Sequence, residues 1–488
     1  GAAMPAAAVT PSPADWRDLM IYQVLTDRFY DGLPANDTAE GAYEPANGYK
    51  THGGDFQGLE QKLDYLKGLG VGAVWISPVY LNAFGEYHGY AARDFYSISS
   101  QMGGLPALQS FVTAAHARGI YVVIDIVLNH MGDMIDSGSS GYPSFHANPS
   151  PYVLRYRFSS PRPAAPFNTL TWFHNNGAIG NYVDPDQILG ELASLDDLKT
   201  ELPAVRDALV AASSWLIDQT DCDGFRIDTV KHVEMGFWQD WTPRVQAHCQ
   251  AVGKTNFLMF GEVFDGSDAK CGSYTGTMAG GAYALNSMLY YPMHYSSNDV
   301  FIYNQPTSRL TDRYAALTNY DPTVRDRLVT FLDNHDNERF LSFNKASQDT
   351  TKLRVALDWI LTSLEIPCLY YGTEQMFDGG GDPYCREDMW DGQWDYGPSD
   401  GDNFNMTHPL YLRVARLNNL RRLYPALTRG TQTKLQDDSG GPGLYVYSRQ
   451  YAGKEVIVAL NTAAAPRTTN ALPTTFGAGA DLVDLTDP

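Results

Sequence analysis

Short, almost wholly apolar runs recur along this 488-residue chain, and amphipathic stretches lie between them. The runs at 20–25, 71–78, 121–128, 224–230, 257–263, 328–333 and 367–372 read as buried β-strands. An eighth, near 283–291, is the least regular. Leu59, Leu63 and Leu66 fall at i, i+4 and i+7 and mark a helix face that Gly68 and Gly70 bring to an end. Leu108, Phe111 and Ala115 mark a second helix, stopped at Gly119; Trp215, Leu216 and Ile217 belong to a third, and 420–422 to another. Strands apolar on both faces, alternating with amphipathic helices, predict a parallel sheet covered on both sides. Eight such units over about 400 residues predict an α/β fold, a (β/α)8 TIM barrel with insertions.

The rhythm fails in two places. Residues 131–200 are rich in Gly, Ser, Pro, Asn and aromatics and show no clean period. An excursion this long inside a compact domain is unusual and commonly functional. Beyond the helix at 420–422, the runs at 443–448 and 456–461, with Gly and Pro nearby, predict a small antiparallel β-domain. The Ala/Pro-rich 1–15 read as a flexible lead-in that begins like an expression remnant, so a leader could have been removed. The expected organisation is a lead-in (1–15), a barrel (16–130 and 201–424), an inserted irregular domain after strand three (131–200) and a C-terminal β-domain (425–488).

Charge narrows the partners. Thirty-five Lys and Arg face 56 Asp and Glu, a formal net charge of -21. Nucleic acid and anionic membrane surfaces call for basic patches, so both are argued against. No run approaches the roughly 18–20 apolar residues of a membrane span. A neutral ligand or a bound cation suits the balance. Five Cys (Cys222, Cys249, Cys271, Cys368, Cys385) are too few for a disulfide scaffold, lack zinc spacing, and leave at least one free thiol. Few Lys, many Tyr, Gly and Asn, and an acidic surface lean towards a secreted protein, expected to be a monomer.

Candidate chemistry centres on the run 224–230. Arg226 and Asp228 lie two residues apart, so both side chains point to one face of an otherwise apolar strand. A structural ion pair is one reading, although a buried pair is weak evidence for stability. The other is a carboxylate kept ionised beside a fixed guanidinium, as a nucleophile requires. In a TIM barrel the site gathers at the C-terminal ends of the strands. Here those ends carry Asp125, Asn129 and His130; Asp228, Lys231 and His232; Glu262; and Asn334, His335 and Asp336. One such carboxylate is as well explained by a helix cap; four polar ends in register are not. Asp228, Glu262 and Asp336 would share a pocket, where repulsion separates their pKa values. That division suits glycoside cleavage, with Asp228 as nucleophile, Glu262 as acid then base, and Asp336 binding sugar hydroxyls and favouring the distorted ring.

The motifs at 125–130, 224–232, 261–263 and 331–336, in this order and spacing, resemble those of the α-amylase family of glycoside hydrolases, most of all its fungal-type secreted members. The likeness runs from Ala14 into the helix at 420–422, and more loosely through the tail. It implies the same roles for the three carboxylates. It implies that Arg226, His130 and His335 surround the sugar at the cleavage point, that Tyr90 stacks on that sugar and that His88 bonds it. Plain core packing is the alternative for Tyr90. Lys231 and His232 match the leaving-group side, and Asp382 and Arg386 a substrate-contacting loop. Calcium is implied as cofactor, held by oxygens from separate segments: Asn129, the backbone carbonyl of His232, Asp197, and an acid at Asp184 or Asp186. Asp196 is read instead as the cap of a helix starting near Leu198. Two departures stand out. Cys271 occupies a half-cystine position whose partner would fall near Tyr320, which leaves pairing with Cys249 or a free thiol. Ala91 stands where the family has an aromatic, which opens one side of the cleft.

The expected function is a retaining endo-hydrolase of α-1,4-glucosidic bonds in starch, glycogen and maltooligosaccharides. It would work through a covalent glycosyl-enzyme, with Asp228 and Glu262 oxygens about 5–5.5 Å apart. A maltose-forming, cyclodextrin-cleaving or transglycosylating relative would carry the same residues. A non-catalytic sugar-binding homologue would be expected to have lost the carboxylates.

Overall fold

The computed structural model describes residues 9–136, 144–148, 150–276, 284–394, 401–477 and 479–486. Eight parallel strands form its centre: β1 (Ile21–Val24), β2 (Ala73–Ile76), β3 (Tyr121–Ile126), β4 (Gly224–Ile227), β5 (Leu258–Gly261), β6 (Ser287–Met288), β7 (Val329–Phe331) and β8 (Ile366–Tyr370). They lie in the order β6-β5-β4-β3-β2-β1-β8-β7, and a parallel bridge from Leu289 to Val329 joins the two outer strands. This is the (β/α)8 barrel that the alternating pattern predicts.

The two-residue period of each strand divides the core. Ile21, Trp75, Val123, Phe260, Phe331 and Cys368 turn inward and pack together. Their neighbours Tyr22, Val74, Val122 and Met259 pack in the outer core. Buried on both faces, these strands have no polar side to show.

Register sets up the site. Arg226 is level with Asp125 on β3 and Phe260 on β5. Ile227 pairs with Gly261. Asp228 and Glu262 therefore follow side by side, one residue beyond their strands.

Several expectations change in detail. The helix at 59–66 is two helices, Phe56–Gln61 and Leu63–Leu69, broken at Lys62, whose ψ is 8°. Strand six has only two residues, and position 283 of the expected run lies outside the described residues. Polar Asn286 and Ser287 leave that run little apolar pattern; Ser287 instead bonds the Arg327 carbonyl (2.5 Å). Asp196 caps no helix: its Oδ2 accepts the Met134 and Ile135 N–H groups (2.7 and 3.0 Å), and the next helix starts at Pro203.

Between β3 and that helix the chain makes small antiparallel pairs, His130–Met131 with Asp196–Asp197 and Ile135–Asp136 with Arg155–Tyr156. Residues 137–143 and 149 of this excursion lie outside the described residues, as do 1–8 and 487–488. The rest of the lead-in is tied down: the Thr10 N–H donates to the Asp221 carboxylate (3.0 Å). The tail is a three-stranded antiparallel sheet, β9 (Thr431–Asp437), β10 (Leu444–Tyr451) and β11 (Lys454–Asn461). β9 is largely polar, which hid it from a search for apolar runs.

All five cysteines are buried and free. Cys271 does not pair with Cys249; its thiol faces the Val263 and Asp265 carbonyls (3.7 and 3.5 Å), and Tyr320, where the half-cystine partner falls, bonds Asp268 (3.3 Å). Among the described residues, no helix is long and apolar enough to cross a membrane.

Candidate active site

Arg226 organises the carboxylates. Its side chain is wholly buried on β4. Nη1 donates to Asp125 (3.0 and 3.1 Å) and to Asp228 Oδ1 (2.8 Å), while Nη2 lies 3.0 Å from Glu262 Oε2. The Glu262 contact is a close ion pair without hydrogen-bond alignment. The nitrogens of one guanidinium are about 2.3 Å apart, so contacts of 2.8 and 3.0 Å leave the two oxygens at most about 8 Å apart.

One positive charge thus faces three carboxyl groups in a buried site, and they cannot all ionise freely. Burial raises Asp228 well above the usual carboxylate range; Arg226 opposes this, and Glu262, Asp125 and Asp336 add to it. Burial pushes Asp125 up to about 6, against its bonds from Arg226, Tyr90 and Trp75.

The rest of the first layer comes from across the barrel. Gln23 Nε2 lies 2.7 Å from His335 Nδ1. An amide N–H only donates, so this bond assigns the His335 proton to Nε2, facing Tyr90 Oη at 2.8 Å. Tyr90 passes its own O–H to Asp125 Oδ2 (2.7 Å). Burial, with Arg226 and Arg386 nearby, holds His335 well below its ordinary range, so it is a neutral donor. His88 backs Tyr90, accepting its N–H (3.0 Å) with the rings stacked. His130 Nε2 bonds the Tyr90 carbonyl (3.2 Å). Burial pushes both His88 and His130 down to about 3.

Glu262 is held on both oxygens. Tyr291, just after β6, gives its O–H to Oε1 (3.2 Å). Thr229 gives its N–H to Oε2 (3.2 Å) from a left-handed conformation, φ 49°. That conformation is costly for a β-branched residue and concentrates at functional sites.

Asp336 is the most open of the three carboxylates, with a third of its side chain exposed. Arg386 Nη2 lies 3.4 Å from it, while Nη1 reaches Asp382 (3.0 Å) and Tyr87 Oη (2.7 Å). Asp382 is half exposed at the edge of this chain of contacts.

The three carboxylates line one cleft of about 600 Å³, with Tyr90, His130, His335, Lys231 and His232. Lys231 Nζ is anchored on the Phe264 carbonyl (2.7 Å). Thr229, Phe264 and, from the inserted segment, Tyr182, Leu192 and Leu195 complete the lining. Gln23, Trp75 and Tyr291 are site residues that the sequence reading missed. Only Gln23 left a signal, as a polar residue inside an apolar run.

The residues read as calcium ligands lie beside this cleft. His130 pairs with Asp197 across the short ladder, and the Asn129 carbonyl accepts the Leu198 N–H (2.9 Å). His232 Nδ1 bonds the Gln187 carbonyl (2.9 Å), tying in the turn Asp186–Leu189. Asn129, Asp197 and His232 are buried. Asp184 is exposed and takes Gln187 Nε2 (2.6 Å), and Asp186 faces Asn181 (3.4 Å). Among the described residues, no three His, Cys, Asp or Glu side chains form a ready metal cluster, a set that leaves out the Asn129 amide and the His232 carbonyl. The buried charge there is in surplus. Burial pushes Asp197 up to about 7 despite His174 at 2.6 Å, with Glu201 and Glu234 adding to the rise. Burial also pushes Glu191 to about 7, with Asp197 and Asp133 adding. A hard cation fits such a donor set.

The chain is similar to known proteins over most of its length. A family model described as alpha amylase, catalytic domain, matches residues 23–400. A beta/alpha-amylase from Paenibacillus polymyxa is 37% identical over 92% of this chain, which spans 34% of that relative's length. The structure of an alpha-amylase from Geobacillus thermoleovorans complexed with acarbose is 28% identical, with a TM-score of 0.73 over 93% of this chain and 88% of that one. The structure of the cyclomaltodextrin glucanotransferase CldA is 32% identical, with a TM-score of 0.74 over 91% and 87%. With the match running from within β1 to beyond β8, over the strands that present the carboxylates, the chain belongs to the alpha-amylase catalytic-domain family.

Proposed function

We propose that the chain is a retaining endo-hydrolase of α-1,4-glucosidic bonds in starch, glycogen and maltooligosaccharides. One observation carries the reading: a single guanidinium, Arg226, lies against both Asp228 and Glu262, with Asp336 in the same cleft. Asp228 attacks the anomeric carbon as Glu262 protonates the leaving oxygen. Water then gives its proton to Glu262 and its oxygen to the sugar, releasing Asp228. The limit of about 8 Å between these two oxygens accommodates the roughly 5–5.5 Å that double displacement requires. Asp336, Arg386 and His335 supply polar contacts to sugar hydroxyls, and Tyr90 an aromatic face. The acarbose bound to the Geobacillus protein supports an α-glucan-like ligand.

Calcium would be held by Asn129, Asp197 and the His232 carbonyl, with Asp184 or Asp186, supplying a fixed positive charge between the inserted segment and the ends of β3 and β4. The acidic, Lys-poor composition supports a secreted enzyme.

Chromatography of products from soluble starch and maltoheptaose, with and without chelator, tests the reading. Mixed short maltooligosaccharides, abolished by Glu262→Gln, are expected, with activity falling in chelator. No turnover of any α-glucan would overturn it. A transglycosylating activity is the second reading, favoured by the likeness to CldA; longer or cyclic products would select it.

A further inference from the structure

The two oxygens of Glu262 have unlike neighbours. Oε2 faces groups that can only donate, the Thr229 N–H at 3.2 Å and Arg226 Nη2 at 3.0 Å. A proton on Oε2 would point at nitrogens with no lone pair to receive it. Oε1 faces the Tyr291 hydroxyl at 3.2 Å, which can donate or accept. Tyr291 is fully buried, packed on Phe331 and Phe264. Its oxygen accepts Asn334 Nδ2 (3.2 Å), and Asn334 Oδ1 takes the Asp336 N–H (2.9 Å).

We infer that Oε1 is the oxygen that carries and delivers the Glu262 proton, and that Tyr291 is the positioning residue that tunes it. This rests on the acid/base reading above. In the first step the Oε1–H bond breaks and the proton joins the glycosidic oxygen, as the bond from that oxygen to the anomeric carbon breaks and Asp228 bonds the carbon. In the second, water's oxygen bonds the anomeric carbon, the Asp228 bond breaks, and water's proton goes to Oε1. Between the steps Oε1 is anionic, and the Tyr291 O–H stabilises it. Among the described residues, the other charged or titratable groups facing Glu262 are Arg226, Asp228, Lys231 and His232 from β4 and its loop, His335 and, across the cleft, Asp336 after β7, and Tyr295 after β6.

The pH dependence of kcat/KM on maltoheptaose tests the inference. Tyr291→Phe removes the donor and keeps the ring, so the alkaline limb should move up by about 0.5–1 pH unit with the acidic limb in place. That variant leaves Asn334 Nδ2 without its acceptor and could misfold. A fluorinated tyrosine at 291 keeps the shape and donates more strongly, so there the alkaline limb should move down. Opposite shifts support the inference; an unmoved alkaline limb in a folded variant, or shifts in one direction, overturns it. Glu262→Gln separates the two readings. If it stays active, the acid/base assignment itself fails; if it is inactive and neither Tyr291 variant moves the limb, only the role of Tyr291 fails.

Discussion

Arg226 does with one planar group what no other cation could. Its fork reaches Asp125, Asp228 and Glu262 from a single position on β4. A lysine ammonium gathers its three N–H groups on one atom, so it cannot present a second nitrogen to Glu262 while the first holds Asp125 and Asp228. Arg226→Lys should therefore lower kcat on maltoheptaose by about 100-fold or more. It should also cost roughly 3–5 kcal/mol of stability, because a buried carboxylate loses its partner. Steady-state kinetics and urea melts check both; a variant with near-native rate would show that the bridging fork is dispensable. Much of this site was legible at the residue scale. Strand alternation put Arg226 and Asp228 on one face, and polar strand ends flagged Glu262 and Asp336. Tyr291 and Trp75 were not legible, because they reach the site across the barrel from runs that read simply as core. The left-handed turn at Thr229 was hidden too, since a β-branched residue gives no sign of it.

Elements were legible where burial on both faces made the runs long, and not where polar residues broke them, as in β6 and β9. The loop after β1 shows a feature that pattern alone does not carry. Oδ1 of Asp31, Oδ1 of Asn36 and Oδ1 of Asp37 are buried with no hydrogen-bond partner among the described residues. Burial and the nearby Asp55 push Asp31 up to about 6; burial, Asp31 and Asp55 push Asp37 up to about 7. These folded-state values lie above the unfolded range near 4. The stability they contribute is therefore present below about pH 4 and lost as pH rises through 6 to 7. Asp37→Asn removes that loss. In chelator, so that no divalent cation screens the acids, its melting temperature should exceed the parent's by about 1–3 °C at pH 8 and by much less at pH 5. A gain that is larger at pH 5 would contradict the sign of this linkage.

At the scale of the whole molecule, the tail sheet was recognisable by its change of texture, but its joint to the barrel was not. Arg449, in β10, is fully buried. It donates Nη1 to the Thr362 carbonyl (2.6 Å) and to that of Ser363, and Nη2 to the Gly430 carbonyl (3.0 Å). Arg421 donates Nη1 to the Leu361 carbonyl (3.1 Å). Both cations thus close the C-terminal end of the helix Thr350–Ile360, where the backbone dipole favours positive charge. Tyr447 adds a hydroxyl contact to Thr362 (2.6 Å). The sheet is fastened in this way to the helix that leads into β8. Arg449→Met keeps much of the volume and leaves three carbonyls short of a donor, which should cost about 3 kcal/mol. The parent should unfold in urea as one unit, with fluorescence and loss of activity coinciding. In the variant the midpoint should fall while kcat at 25 °C is unchanged, because Arg449 bonds none of the carboxylates in the cleft. An unshifted midpoint would mean that the sheet adds nothing to the barrel's stability through this joint, and a fall in kcat without a fall in midpoint would mean that the joint acts on the site instead.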